Sequence, residues 1–206
     1  MKAQPAGGKA NTELGPGHLE DVFTVCFLPD GKHVVSCSED SAVSLWNAAD
    51  GKQVWSESVS NSAKVGTCSP EGETLAVTSD DGTIHLLSAK DGSLVRVIKA
   101  PGGEHWAVAF SPDGKRILTG GDSMIYQWNA ATGEQLFPPP KSDYVKGSIS
   151  NIAVSPDGKS LYALASDFIH VWNLGTREQI ARWPVPGEVD DIEAIGCSEV
   201  GDMLWL

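Results

Sequence analysis

One short phrase recurs along the chain at almost constant spacing, and this repeat limits the possible folds more than any other feature. A Pro-Asp-Gly or Pro-Glu-Gly turn stands at four positions, and a degraded fifth copy lies at residues 198–202. The turn glycines, which lie 41 to 44 residues apart, are Gly31, Gly72, Gly114, Gly158 and Gly201. Self-similarity at a fixed period is the signature of a repeat architecture. The chain is therefore predicted to copy one supersecondary unit along its length.

Apolar residues on both sides of each turn follow a period of two. In the third unit, Val108 and Phe110 precede the turn at alternate positions, and a second strand is predicted over 116–119. Alternation of this kind puts the apolar side chains on one face of a strand. A third strand then ends in a bulky residue such as Trp128, and a short fourth strand such as 93–98 completes a unit. No window shows the spacing of an amphipathic helix, so no helix is predicted.

Four short antiparallel strands per period are typical of a β-propeller blade, whose sheet buries both faces against its neighbours. We therefore predict an all-β fold, a β-propeller of four-stranded antiparallel blades with four complete repeats and a partial fifth. The expected organisation is a flexible N-terminal segment over 1–16, followed by the propeller over 17–206. The repeats are placed at about 17–58, 59–100, 101–140 and 141–185, with a partial repeat over 186–206.

The first unit carries an ordered set of marks. It reads Gly17-His18, then Pro29-Asp30-Gly31, then Ser36 to Asp40, and it ends with Leu45-Trp46-Asn47. This unit resembles a WD40 repeat, with Asn47 in place of the Asp of the terminal Trp-Asp pair, and the resemblance covers roughly residues 17–201.

The WD40 resemblance also implies a structural network. In that family a His, a strand Ser or Thr, a turn Asp and the Trp form a hydrogen-bonded tetrad. The residues at the matching positions are His18, Ser36 or Ser38, Asp40 and Trp46. The other units depart from this pattern, so the resemblance implies the full tetrad in the first unit alone and reliance on packing in the later ones.

The resemblance also raises a question about closure, since propellers of this family are usually closed rings. Four whole units and a remnant would leave an incomplete or open ring, with unpaired backbone groups and an apolar blade face in water. We therefore expect that the chain is a fragment of a longer propeller or completes its ring by self-association through open blade edges.

The charge balance restricts the class of partner. The chain has 15 Lys and Arg against 27 Asp and Glu, a net charge of -12. Neutralisation of phosphates needs clustered basic residues, so neither nucleic acid nor an anionic membrane is an expected partner. The scattered cysteines, which favour buried thiols in a reducing compartment, are Cys26, Cys37, Cys68 and Cys197. With no apolar run of signal or membrane-spanning length, a cytoplasmic location is expected.

No motif of catalysis or cofactor binding stands out. The nearest approach to a phosphate loop, 158–160, has Ala153 where glycine is required and lies in a hairpin turn. The Asp-Gly pairs lack calcium-loop spacing and are explained by turn chemistry. His85 and His170 share a third-strand column that favours packing over metal binding, whereas His105 is expected to be partly exposed. We therefore expect no enzyme activity, no cofactor and no metal.

The column eight residues before each turn glycine varies most in character. It contains Phe23, Lys64, Trp106, Ser150 and Glu193. This column lies where each first strand begins, near the rim at which the WD40 resemblance implies that partners dock. Exposed aromatic side chains are typical interface anchors, so Phe23, Trp106 and Lys64 are the candidate partner-binding residues. The alternative is that the two aromatic rings pack between blades.

Two functions follow from these observations. The first is a non-catalytic WD40-like scaffold or protein-interaction module, either alone or as the repeat region of a larger regulatory protein. The alternative is an enzyme propeller, because residues 45–55 are similar to the Trp-terminated repeat of quinoprotein dehydrogenases. Ser-Pro-Asp-Gly-Lys also occurs in TolB-like propellers. Against the quinoprotein, the tryptophan at position 55 recurs weakly in the later units.

Overall fold

The computed structural model describes residues 17–137, 145, 147–185, 195–197 and 204–205. These residues form four antiparallel sheets of four strands, each in chain order, and a two-stranded ladder. No helix occurs in the described ranges. The prediction of an all-β fold of propeller blades is confirmed. The predicted flexible segment 1–16 and most of the partial repeat 186–206 lie outside the described residues.

Each sheet corresponds to one blade of the repeat. Blade one contains β1 (Val22–Phe27), β2 (His33–Ser38), β3 (Ala42–Asn47) and β4 (Gln53–Ser58). Blade two contains β5 (Ala63–Cys68), β6 (Thr74–Ser79), β7 (Thr83–Ser88) and β8 (Leu94–Lys99). Blade three contains β9 (His105–Phe110), β10 (Arg116–Gly121), β11 (Met124–Asn129) and β12 (Gln135–Phe137). Blade four contains β13 (Ile149–Val154), β14 (Ser160–Ala165), β15 (Phe168–Asn173) and β16 (Glu178–Pro184). The ladder pairs β17 (Gly196–Cys197) with β18 (Leu204–Trp205).

The repeated turn joins the first two strands of each blade through the same hydrogen bonds. In blade three the Ser111 amide donates to the Arg116 carbonyl at 2.9 Å, and the Gly114 amide donates to the Ser111 carbonyl at 2.9 Å. Gly114 has a φ of 68°, which glycine adopts without a steric cost. The Asp113 carboxylate accepts from the Ser111 hydroxyl at 2.6 Å and from the Lys115 amide at 3.1 Å. The hydroxyl and amide donors lower the pKa of Asp113.

Apolar side chains between neighbouring blades form the core. Val35 of blade one shares a cluster with Leu75 of blade two, and Leu118 of blade three shares one with Ile149 of blade four. Full burial of such a side chain contributes about 1.5–3 kcal/mol. Gly66 permits a close approach of the first two blades, since a Cβ there would lie 2.5 Å from Cys37 Sγ. Packing between neighbouring blades therefore holds the four first strands side by side.

His105 corrects one of the sequence-based expectations. Its side chain was expected to be partly exposed, but His105 is 2% exposed. The ring lies edge-on to Tyr126, with centroids 5.3 Å apart, and its Nε2 lies 3.3 Å from the Pro101 carbonyl oxygen. His85 and His170 are also buried, at 6% each, in agreement with the packing prediction.

Candidate functional site

The first strand of every blade contains a β-bulge close to its start. In blade one Val22 pairs with Ser38 and Thr24 with Cys37, which leaves Phe23 as the extra residue. The corresponding unpaired residues are Trp106 in blade three, Ser150 in blade four and, opposite Thr78, Lys64 and Val65 in blade two. A bulge removes a residue from the ladder and re-aims its side chain. The variable column of the sequence is therefore the bulge position.

We call the end of the blades where β1, β5, β9 and β13 begin the bulge end, and the opposite end, which carries the repeated turns, the turn end. At the bulge end the extra residues line one cavity of about 320 Å³. Its lining residues are Phe23, Lys64, Val65, Trp106, Ser148 and Ser150. The structure thus brings the three candidate residues Phe23, Lys64 and Trp106 together. Glu193, the last member of the column, lies outside the described residues.

Lys64 occupies the centre of this group. Its Nζ lies 4.5 Å from the ring centroid of Phe23 and 5.1 Å from that of Trp106. Both distances fall within the ~6 Å range of a cation–π contact. Lys64 Nζ also lies 3.0 Å from Asp80 Oδ1, and its side chain is 12% exposed. Phe23 and Trp106 remain 45% and 36% exposed, so both residues are partly accessible to solvent.

The two ends of the blades differ in charge. The described loops at the bulge end carry nine carboxylates and no Lys or Arg. These acids are Glu20, Asp21, Glu39, Asp40, Asp80, Asp81, Glu104, Asp122 and Asp167. The turn end instead mixes eight acids with six Lys or Arg residues. Clustered charge of one sign raises the local concentration of oppositely charged ligands.

The four residues matched to the WD40 tetrad form a hydrogen-bonded chain in blade one. Trp46 Nε1 donates to Ser36 Oγ at 2.8 Å, and His18 Nε2 lies 2.6 Å from the same oxygen. His18 Nδ1 lies 3.2 Å from both carboxylate oxygens of Asp40. Burial opposes ionisation of Asp40, but the amide donors Leu19 and Ala42 outweigh it and lower the pKa of the carboxyl. This network ties the loop before β1 to β2 and β3.

Blade two contains a second polar network that the sequence analysis missed. Ser60 Oγ donates to Asp81 Oδ2 at 2.6 Å and lies 3.1 Å from His85 Nε2. Thr83 Oγ1 also contacts both Asp81 and His85. Burial lowers the pKa of His85. The Thr83–His85 alternation beside Asp81 was the available signal, since side chains two apart on a strand share a face.

The contacts in blade two differ from those of a hydrolytic triad. In such a triad the carboxylate orients the imidazole, and the imidazole contacts the nucleophilic hydroxyl. The Asp81 carboxylate instead bonds the hydroxyls of Ser60 and Thr83, and no bond from Asp81 to His85 orients the ring. The network therefore joins the loop before β5 to β7, as the tetrad does in blade one.

The described cysteines are free thiols between the first two blades. Burial raises the pKa of Cys26 to about 11 and that of Cys68 to about 12. Burial also raises the pKa of Cys37, which is fully enclosed. The nucleophile of cysteine chemistry is the thiolate, so these thiols are inert near neutral pH. The side chain of Cys197 lies outside the described set.

The described ranges contain neither a metal-binding cluster nor a membrane-spanning helix. No group of three or more His, Cys, Asp or Glu side chains there is arranged to hold a metal ion. No helix in that part of the chain is long and apolar enough to cross a membrane.

Two family models match the chain. The model described as "WD domain, G-beta repeat" matches residues 9–47. The model described as "Outer membrane protein assembly factor BamB" matches residues 39–189, which is more than half of the chain. Together the two matches cover residues 9–189, which include all four described blades.

Several curated proteins are similar to the chain over part of its length. Echinoderm microtubule-associated protein-like 2 of Rattus norvegicus is 31% identical over 58% of this chain and 19% of the relative. A WD repeat-containing protein of Synechocystis is 31% identical over 59% of this chain and 39% of the relative. Actin-interacting protein 1 of Drosophila melanogaster is 28% identical over 57% of this chain and 20% of the relative. The matched region thus spans well under half of each of these relatives.

Proposed function

The chain belongs to the WD40-repeat β-propeller family, and the BamB model also matches it over residues 39–189. From these two matches we propose that the chain is a non-catalytic scaffold for a protein partner. The partner docks on the bulge end of the blades. Its principal contacts are the rings of Phe23 and Trp106, with Lys64 between them. We further propose that the chain works in a reducing compartment such as the cytoplasm, which its free thiols favour.

The observation that carries this proposal is the convergence of the bulged residues. Bulges at one position of four first strands bring two part-exposed aromatic rings and a lysine to a single cavity. Bulges are over-represented next to functional sites because they re-aim a side chain. Aromatic residues at the centre of an interface bury a large area at a low entropic cost. The rest of the bulge end supplies a polar rim, as expected around such anchors.

The relatives support the class of function rather than a particular partner. One is named as a microtubule-associated protein and another as an actin-interacting protein, so both names describe association with another protein. The chain spans 19% and 20% of those proteins, and their own partners are not assigned to it. The enzyme alternative has no comparable support, since the BamB model is described as an assembly factor.

A pull-down with three forms of the chain tests the proposal. The bait proteins are the wild type, Trp106→Ala and Trp183→Ala, and retained proteins are quantified by mass spectrometry. Trp183 is the matched control because it is 44% exposed and lies on β16, the outer strand of blade four. We expect a protein that the wild type and Trp183→Ala retain equally and that Trp106→Ala loses at least in large part.

Circular dichroism and thermal unfolding of each bait must agree before the pull-down is interpreted. Equal recovery of every protein by the three baits would contradict the assignment of Trp106 to the interface. Equal loss by both tryptophan variants would also contradict it, because the contact would then not depend on the bulge end.

A further inference from the structure

We propose that the Phe23 and Trp106 rings form a receptor for a basic side chain of the partner, and that Lys64 occupies this receptor in the free chain. A lysine or arginine of the partner would replace the Lys64 ammonium between the rings. This inference rests on the proposed function, because it names the chemistry of the partner at the same cavity.

The rings already hold a cation in the free chain. The Lys64 ammonium lies 4.5 Å and 5.1 Å from the two ring centroids, although the rings come from blades one and three and the lysine from blade two. Ring faces carry negative electrostatic potential, so an arrangement that accepts one ammonium accepts another of the same geometry. Both aromatic residues are partly exposed, so the cavity that they line is accessible to a ligand.

Lys64 can leave the two rings and still have the Asp80 carboxylate as a charged neighbour. Its Nζ lies 3.0 Å from Asp80 Oδ1, which is buried, whereas the Asp80 side chain as a whole is 36% exposed. A lysine has four rotatable carbon–carbon bonds, so the ammonium can turn toward solvent near Asp80 while its backbone stays in the bulge. The backbone is held there by the Thr24 hydroxyl, which donates to the Lys64 carbonyl at 3.0 Å. Exchange of one cation for another leaves the charge between the rings unchanged.

Charge complementarity favours a basic ligand over an acidic one. The described loops of the bulge end carry nine carboxylates without a Lys or Arg, which attracts a cationic peptide and repels an anionic one. An acidic ligand would have to rely on Lys64, whose ammonium is already covered by two rings and paired with Asp80. The cavity of about 320 Å³ lies at the lower end of the range of small-ligand pockets, so it can admit a side chain of the partner.

The test uses short peptides as probes and the indole N–H signals of the protein as the readout. Acetylated, amidated peptides Gly-Ser-X-Ser-Gly, with Lys, Arg, Glu or Leu at X, are titrated into ¹⁵N-labelled protein. Trp106→Phe identifies the Trp106 indole signal. We expect the Lys and Arg peptides to shift this signal and the Glu and Leu peptides to leave it in place.

Two lysine variants then test the role of the internal occupant. Lys64→Ser introduces the residue that blade four has at its bulge. Lys99→Ser removes an exposed lysine from the bulge end of β8, the outer strand of the same blade, so both variants change the net charge equally. We expect Lys64→Ser to bind the Lys peptide about tenfold more tightly than Lys99→Ser, because the peptide no longer competes with Lys64. Phe23→Leu should weaken binding of the same peptide by about tenfold.

The outcomes separate this inference from the proposed function. Binding of the Glu peptide that Lys64→Ser abolishes would overturn the inference and assign Lys64 as an anchor for carboxylates. Equal affinity of the two lysine variants for the Lys peptide would overturn the role of Lys64 as occupant. If Trp106→Ala loses its protein partner while no basic peptide shifts the indole signal, the inference fails and the proposed function stands. If the pull-down also shows no dependence on Trp106, both fail.

Discussion

Blades three and four carry a tryptophan at the same point of the third strand, but the two indoles have different surroundings. Trp128 Nε1 donates to Thr119 Oγ1 at 3.0 Å. Trp172 Nε1 is buried and has no hydrogen-bond partner within the described part of the chain. The residue that would supply one, at the position of Thr119 in the second strand, is Ala163. The repeat therefore determines the position of the tryptophan in the blade, but the residue at the facing position of the second strand determines whether its indole N–H has a hydrogen-bond partner.

The same second-strand column explains the other two blades. Blade one pairs Ser36 with Trp46 through a hydrogen bond of 2.8 Å. Blade two has Val77 and Leu87 at the two positions, so it contains neither the donor nor the acceptor. Hydroxyl and indole occur together in blades one and three and are both absent from blade two. Blade four alone among the described blades keeps the indole without the hydroxyl, and an unsatisfied buried donor costs about 1–3 kcal/mol.

The largest effect is expected from Ser36→Ala in blade one. This change removes the oxygen that both Trp46 Nε1 and His18 Nε2 contact, so it leaves two part-buried polar groups without this partner. We expect the free energy of unfolding to fall by about 2–4 kcal/mol, measured by urea denaturation. The control is Ser58→Ala, because Ser58 is an exposed serine at the end of β4 in the same blade.

Ser58→Ala should change the free energy of unfolding by about 0.5 kcal/mol or less. A loss of similar size in both variants would show that the tetrad adds no more than an exposed hydroxyl. The blades would then differ in the arrangement of their hydrogen bonds but not in the stability that those bonds contribute.

A smaller effect is expected from Thr119→Val in blade three. Valine keeps the branched shape of threonine but removes the hydroxyl, so Trp128 Nε1 becomes as unsatisfied as Trp172 Nε1. We expect a loss of about 1–3 kcal/mol in the free energy of unfolding. Thermal unfolding by differential scanning calorimetry provides the measurement, and a variant as stable as the wild type would argue against any contribution from this bond.

The converse change, Ala163→Ser in blade four, restores the missing hydroxyl. Ala163 is fully buried and pairs with His170 of the third strand. It belongs to the same core cluster as Trp172. A serine oxygen there would accept from Trp172 Nε1, and we expect a gain of about 0.5–1.5 kcal/mol in the free energy of unfolding. Ala163→Val is the matched control, since it adds volume without an acceptor. Equal effects of the two substitutions would assign the change to packing.

Sequence reasoning succeeded where one residue type is required by the backbone. The turn glycines adopt a positive φ in each of the four described blades, so the period and the blade architecture could be predicted from them. The variable column also pointed to Phe23, Lys64 and Trp106 before their contact was visible. Their convergence could not be predicted, because a bulge depends on how β1 and its counterparts pair with the second strands.

The two features that the sequence did not predict correctly both depend on how strands and loops pair in three dimensions. His105 was expected to be partly exposed, yet it pairs with Gly121, and the bulge at Trp106 turns the histidine inward and the tryptophan outward. The network of blade two was missed because Ser60 reaches partners 21 and 25 residues away, across a loop. Such contacts depend on three-dimensional register rather than on local pattern.

The smallest expected effect is on the pH dependence of stability, and it concerns two buried histidines. One of them has hydrogen-bond partners at its ring nitrogen, and the other has a ring nitrogen without one. His85 Nε2 contacts the hydroxyls of Ser60 and Thr83, whereas His105 Nδ1 is buried without a hydrogen-bond partner among the described residues. Burial lowers the pKa of both rings in the folded chain. The unfolded chain, with a histidine pKa of about 6.5, therefore binds protons first as the pH falls. The stability that each neutral ring contributes is present above that pH and is lost as the pH falls through it toward the lowered folded pKa.

His105→Gln removes the proton-binding group and isolates its part of this dependence. We expect the free energy of unfolding, measured in urea between pH 7.5 and about 5, to fall less steeply with decreasing pH in His105→Gln than in the wild type. His33→Gln is the control, because His33 is near the surface at the turn end and its removal leaves the buried rings in place. The readout is the slope rather than the absolute stability, so a destabilised variant remains informative. Parallel plots of unfolding free energy against pH for the wild type and His105→Gln would mean that burial of the His105 ring does not affect the pH dependence of folding. The difference between Trp128 and Trp172 would then not extend to buried histidines.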